Sequence, residues 1–127
     1  MRTRLASLCL LIIVAAIPAA IAASTLRGIM HDWRTDARAT HDILTGRTSF
    51  DEAAIRSALQ NYVADAGRIG AQITGTTPAA REFKRQFMTF GADAQAALDH
   101  LTQRAALQAD FSRLMSDCQS CHDAFKD

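Results

Sequence analysis

Five residues near the carboxyl end of the chain have the types and the spacing that covalent haem attachment requires. They read Cys118-Gln119-Ser120-Cys121-His122, the C-x-x-C-H pattern of c-type haem attachment. Residues three or four apart share one face of a helix, so both thiols can reach one porphyrin edge and form thioethers with its two vinyl groups. The imidazole of His122 lies on that face too and is a suitable iron ligand. The pattern therefore predicts one covalent haem c.

Three other chemistries fit a pair of cysteines at this spacing: a disulfide, a two-cysteine redox motif and half of a zinc site. A redox dithiol usually lies near a βαβ pattern, and the sequence has no such pattern. A structural zinc site needs four ligands at close spacing, and the neighbouring sequence lacks further Cys and His residues for it. Covalent haem attachment is the interpretation that the residues favour.

The amino-terminal segment has the features of a secretory signal peptide. Arg2 and Arg4 supply a positive start, and residues 5–17 form a run without charge. The segment around Ala22 has the small residues of an A-x-A-like cleavage site. We expect a signal peptide at 1–22, removed after Ala22 or Ala23, and a single domain at 23–127. The alternative is a retained membrane anchor, which Pro18 and the small residues after it disfavour.

Export and haem attachment agree with each other, because c-type haem is attached outside the cytoplasm. We therefore expect the protein in the periplasm, without a stable membrane anchor. Cys9 lies within the removed segment, so the mature chain keeps two cysteines, both in the haem motif.

The charge pattern gives no sign of a nucleic-acid partner. Loss of Arg2 and Arg4 lowers Lys+Arg from 14 to 12, against 13 Asp+Glu, which leaves a net charge of −1. Charges of both signs are interspersed, and no basic run with interleaved aromatic residues is present.

Apolar residues recur with a period near 3.6, and no alternating strand pattern appears. We predict helices from Thr25 to Thr45, from the capping box Ser49-x-x-Glu52 to Gly75, and from Thr77-Pro78 onward. The last break contains neither Gly nor Pro. A tight turn near 100–105 is favoured because the apolar stripe changes register there, the alternative being one long helix from Ala79 to Phe125.

Four helices with one apolar face each and short links predict an all-α fold, an antiparallel up-down-up-down four-helix bundle with the haem on the last helix. The first helix directs a stripe inward that includes Leu26, Ile29, Met30, Trp33, Ala37, His41 and Leu44.

With a four-helix pattern and C-x-x-C-H on the last helix, followed by Phe125-Lys126, the chain resembles the cytochrome c′ and cytochrome c-556 family of class II c-type cytochromes. The resemblance covers essentially the whole mature chain. Leu26-Arg27-Gly28-Ile29-Met30 is similar to the family's Arg-then-Met segment, and Gly46 follows Met30 by sixteen residues, as in the family pattern. Phe50-Asp51-Glu52-Ala53-Ala54 resembles the family's entry into the second helix.

The resemblance implies further roles, with two departures. Arg27 and Lys126 correspond to residues that contact haem propionates, but Arg27 precedes Met30 by three residues where the family usually has four. The link of the second and third helices, Gly75-Thr76-Thr77, is shorter than the family's loop. Family members often pair through their first two helices, which implies a homodimer.

The sixth position of the iron decides the function that the resemblance implies. In cytochrome c-556 relatives a methionine at the place of Met30 binds the iron opposite the histidine. Such a protein carries electrons between periplasmic or membrane redox partner proteins. In cytochrome c′ relatives a side chain there only shields an open site, and the five-coordinate haem binds nitric oxide or carbon monoxide. We favour ligation by Met30 and keep the gas-binding protein as the alternative.

The remaining histidines and an enzymatic role are less well supported. His31 is rotated by about 100° from Met30, and His41 is about 16 Å further along the helix. His100 falls at the predicted turn. A haem peroxidase would need a polar acid–base group near Met30, where the stripe offers only Ile29 and Trp33. We therefore expect an electron carrier, not an enzyme.

Overall fold

The protein is described here by a computed structural model, which covers residues 18–125, with side chains described from Thr25 onward. It contains four helices: α1 (Pro18–Leu44), α2 (Glu52–Gln72), α3 (Pro78–Asp99) and α4 (Arg104–Ala124). The described residues include no strand, so the predicted all-α fold is confirmed. Most of the predicted signal peptide lies outside the described residues, and positions 18–22 form the first part of α1.

The end of α1 and the start of α2 are set by local residues. Gly46 has φ of 75°, a left-handed conformation that glycine adopts without steric cost, and it reverses the chain after α1. Asp51 caps α2, its Oδ1 accepting the amide of Ala54 at 2.9 Å. The predicted capping box at Ser49 is therefore wrong by two residues, because the carboxylate two positions later takes the capping role.

The start and the end of α3 lie where the sequence predicts them, whereas α2 ends earlier than predicted. Thr77 caps α3 through its hydroxyl, which accepts the amide of Ala80 at 3.2 Å, and Pro78 begins the helix as predicted. The preceding helix ends earlier than predicted, with Ile73 as its C-cap instead of Gly75. His100 ends α3, and the turn at 100–103 confirms the predicted break and excludes one long helix.

Successive helices pack against one another and enclose one apolar core. The contact between α2 and α3 is the most extensive. The two backbones come close where Gly91 faces Ala66, because a Cβ at Gly91 would lie 3.2 Å from the Ala66 methyl group. In contrast, α1 and α4 approach each other less closely than any consecutive pair. The core side chains are mostly those of the predicted stripes: Ile29, Trp33, Leu44, Ile55, Leu59, Tyr62, Ala66, Ile69, Phe87, Phe90, Ala94, Ala97, Leu101, Leu107, Phe111 and Leu114.

The predicted stripe of α1 is wrong at one position. His41 is exposed, and the neighbouring Thr40 is buried with 2% of its surface accessible. Leu44 is buried as predicted, and Ile43 is buried as well. The inward face near the end of α1 therefore passes through Thr40 and not through His41.

One hydrogen bond closes the bundle between its first and last helices. The Gln108 side chain, one turn into α4, donates to the backbone carbonyl of Leu44 at 2.9 Å. Leu44 is the last residue of α1, so this bond joins the end of α1 to the start of α4. Within the described residues, no helix has both the length and the apolar character needed to cross a membrane.

Candidate functional site

The last two turns of α4 carry the predicted haem-attachment residues. Cys118 and Cys121 are free thiols, both half-buried, and Cys118 packs against the apolar core. They are three residues apart on one helix, so their side chains lie on one face. His122 is exposed in the last turn of the same helix. The helix therefore holds two thiols at the edge of the core and an imidazole beside them, at a solvent-accessible rim.

Burial and nearby negative charge keep both thiols protonated. Burial raises the pKa of Cys118 to about 11, with smaller contributions from Asp117 and Cys121. Burial and the charge of Glu82 also raise the pKa of Cys121. A redox-active dithiol needs the opposite environment, one that lowers a thiol pKa and stabilises the thiolate. The surroundings thus do not favour a redox-active dithiol.

Met30 and His122 lie toward the same end of the bundle. Met30 precedes Leu44 by fourteen residues, and His122 follows Gln108 by fourteen residues. The hydrogen bond between Gln108 and Leu44 is a common reference point for both helices. At 1.5 Å per residue, each of the two residues lies ~21 Å from its own end of that bond, in the same direction along antiparallel helices. By this estimate the methionine and the histidine are within about one helical turn of each other along the bundle axis.

The helix pair that carries these residues is less closely packed than any consecutive pair. Leu26 and Met30 on α1, and Met115 and Cys118 on α4, are partly buried apolar side chains at the border of the core. Both helices therefore carry apolar side chains that are not fully buried.

Aromatic rings line the same end from the α3 side. Phe83 on α3 contacts Phe125, just after α4, with ring centroids 4.9 Å apart, and Phe87 follows at 5.0 Å from Phe83. Phe87 in turn lies 6.3 Å from Trp33 of α1. These contacts join α1, α3 and the end of α4 around the cysteines.

A polar network between α3 and α4 was not predicted from the sequence. Asp110 is 6% exposed. Its Oδ2 lies 2.6 Å from Nδ1 of His100, and its Oδ1 lies 3.3 Å from Nη1 of Arg113. Arg113 also faces Asp93 at 3.7 Å, and Asp93 contacts the carboxyl group of Asp117, one residue before Cys118. The sequence offered one signal of this network, which is Asp110 in a stripe that is otherwise apolar.

The other predicted site residues are placed as follows. Arg27 is exposed on α1, near Met30, where no negatively charged partner is described for it. Lys126 lies outside the described residues. His31 and His41 are exposed, and His100 pairs with Asp110 at the end of α3.

The residues present fit a covalently held haem better than a metal ion held by the protein alone. In the part of the chain that is described, no group of three or more His, Cys, Asp or Glu side chains converges to hold a metal ion, as a zinc site would require. A haem needs only the two thiols, one axial imidazole and an apolar border, all of which α4 and its neighbours supply. Comparison of the chain with protein-family models, curated proteins and solved structures gave no match.

Proposed function

We propose that this chain is an exported c-type cytochrome that carries electrons through one haem, bound covalently by Cys118 and Cys121 and ligated by His122 and Met30. The observation that carries the proposal is the position of Cys118, Cys121 and His122 in the last two turns of α4, with Cys118 packed against the core of a four-helix bundle. It acts in the periplasm with redox partner proteins and has no catalytic residues of its own.

The two cysteines provide a covalent tether. Each thiol would add across one vinyl group of the haem, forming a carbon–sulfur bond while the thiol hydrogen passes to the other vinyl carbon. No oxidant or leaving group is needed. The raised pKa of Cys118 suits this product, because a thioether carries no charge that the half-buried position would have to stabilise.

The two axial residues determine the redox behaviour. Bound haem supplies a one-electron Fe(III)/Fe(II) couple. An imidazole from His122 and a thioether from Met30 would keep the same ligand set in both oxidation states, which limits structural change during transfer. A thioether ligand favours the reduced state and raises the potential. The bundle contributes the apolar surroundings.

Haem attachment is tested by replacing the two thiols. The full chain is co-expressed with a haem-attachment system, and covalent haem is detected by peroxidase staining after denaturing electrophoresis. The unaltered protein should retain haem, and the Cys118→Ala/Cys121→Ala variant should lose it completely. Ser120→Ala, in the same turn, is the control and should retain haem. Staining of the double variant, or none of the unaltered protein, would refute the proposal.

The gas-binding alternative rests on a separate observation. Met30 is partly buried against the core, which is also where a side chain that merely shields an open iron site would lie. Met30→Ala separates the two functions. If Met30 is a ligand, the unaltered protein is low-spin and excludes carbon monoxide, and the variant becomes high-spin and binds it. If the unaltered protein is already high-spin and binds carbon monoxide, it is a gas-binding protein of the same fold.

A further inference from the structure

The first helix has a small contact with its neighbour, and its described hydrogen bonds to other helices lie at two places. Of the three consecutive helix pairs, α1–α2 is the least extensive. One place is the bond from Gln108 to the carbonyl of Leu44 at the end of α1. The other lies in the middle of the helix, at Trp33. Of the two, Trp33 is the nearer to Met30.

Trp33 is the most extensively bonded side chain of α1. Its indole stacks on Phe90 of α3 at 4.5 Å with the rings 15° from parallel, and it meets Tyr62 of α2 edge-on at 5.4 Å. Its Nε1–H donates to Asp65 at 3.0 Å. The indole is 7% exposed. Ring packing to two helices and one directed hydrogen bond therefore fix both the height and the rotation of α1 at this residue.

Tyr62 adds a bond to the backbone of α1 itself. Its hydroxyl donates to the carbonyl oxygen of Trp33 at 3.1 Å, and its side chain is 1% exposed. Burial raises the pKa of Tyr62, so the hydroxyl stays a donor. One α2 side chain is thus bonded directly to the backbone of the helix that carries the methionine.

Met30 precedes Trp33 by three residues, so the two share one face and are separated by less than one turn. A displacement of α1 at Trp33 therefore moves the thioether by nearly the same amount. The attachment at Leu44 is fourteen residues away and has little influence on rotation at Met30.

We propose that Tyr62 and Trp33 form a clamp that positions Met30 for ligation of the haem iron, making both of them positioning residues. This inference rests on the proposed function. The clamp supplies what the loose contact between α1 and α4 cannot: a fixed distance between a thioether on one helix and an iron carried by the other.

The test compares two variants that each remove one hydrogen bond to an α1 carbonyl. Tyr62→Phe removes the hydroxyl and keeps the ring contacts, whereas Gln108→Leu, the matched control, removes the bond at Leu44. Loss of one neutral hydrogen bond near Met30 should raise the apparent affinity for carbon monoxide about five-fold, because the ligand-free state becomes correspondingly more populated. The low-spin fraction should fall in parallel. Gln108→Leu should lower stability similarly and change neither quantity.

Amide hydrogen exchange over residues 28–34 provides a readout that does not depend on haem. In the full chain it should accelerate in Tyr62→Phe and remain unchanged in Gln108→Leu. Equal effects of the two variants, or no effect of Tyr62→Phe on exchange, would overturn the clamp even if haem is bound as proposed. If the unaltered protein is high-spin, the positioning role is wrong. If it carries no covalent haem, the proposed function is wrong. In that case the exchange measurement still decides whether the clamp exists.

Discussion

Replacement of Asp117 by asparagine should stabilise the protein at neutral pH and leave its stability in acid unchanged. Asp117 lies on α4, half-buried, and its Oδ2 is buried without a hydrogen-bond partner. Burial, then a hydrogen bond with Asp93 and the charge of Asp93, raise its pKa from 3.8 to about 6, and Arg113 opposes this. A single proton shared by two carboxyl groups accounts for both observations.

The raised pKa of Asp117 makes the free energy of unfolding depend on pH. A raised pKa means that the folded protein holds a proton which the unfolded chain releases between about pH 4 and 6, so stability falls as pH rises through that interval. A change from 3.8 to about 6 corresponds to about 3 kcal/mol at ~1.4 kcal/mol per tenfold change in proton affinity. Partial exposure screens this charge, so we expect about half, or ~1.5 kcal/mol.

Urea unfolding of the full chain at a series of pH values measures the effect. Asp117→Asn should exceed the unaltered protein by ~1.5 kcal/mol at pH 7.5 and match it near pH 4. Asp99→Asn, an exposed aspartate on α3 near its end, is the control and should show no such pH-dependent gain. If Asp117→Asn and Asp99→Asn changed stability equally at all pH values, the shared-proton interpretation would be incorrect.

Three further predictions concern the fold and assembly. Gly46→Ala should lower the free energy of unfolding by ~1 kcal/mol, because φ at that position is 75°. Gly28→Ala should raise it by ~0.5–1 kcal/mol, because the added Cβ on the exposed face of α1 would meet nothing within 4 Å. Thermal unfolding measures both. Leu114→Ala should cost ~2–5 kcal/mol in urea unfolding, because this side chain is fully buried, and covalent haem should still be detected on the expressed protein. Sedimentation should give a homodimer, and a monomer at all working concentrations would refute pairing through α1 and α2.

Elements with a strong local signal were predicted well. Thr77 and Pro78 start α3, Gly46 follows the end of α1, and the change of stripe near residue 100 marked the last turn, as the structure has them. These features depend on residues adjacent in the chain, through capping, glycine conformation and helical periodicity. The cap of α2 was misplaced because Ser49 and Asp51 are both good capping residues, and the choice between them depends on where the turn after α1 ends.

Interactions between helices were the part that sequence reasoning missed. Nothing in the chain order indicates that the Tyr62 hydroxyl reaches the carbonyl of Trp33, or that Asp93 and Asp117 face each other. A tyrosine in an apolar stripe fits as a core residue, and an aspartate on a polar face fits as a solvated one. Their partners are set by the rotation and the axial displacement of each helix, which periodicity alone leaves undetermined.

Axial displacement is the quantity on which the proposed function depends most. The sequence places Met30 and His122 on their own helices, but how the two helices are displaced along the bundle depends on contacts between helices. A displacement of one helical turn would move the thioether by ~5.4 Å relative to the imidazole. Because α1–α2 is the least extensive of the consecutive helix contacts, the position of α1 near Met30 depends, under the proposed clamp, on Trp33 and Tyr62. If the chain carries a haem as proposed, the firmness of this attachment decides between a six-coordinate electron carrier and a five-coordinate gas-binding protein.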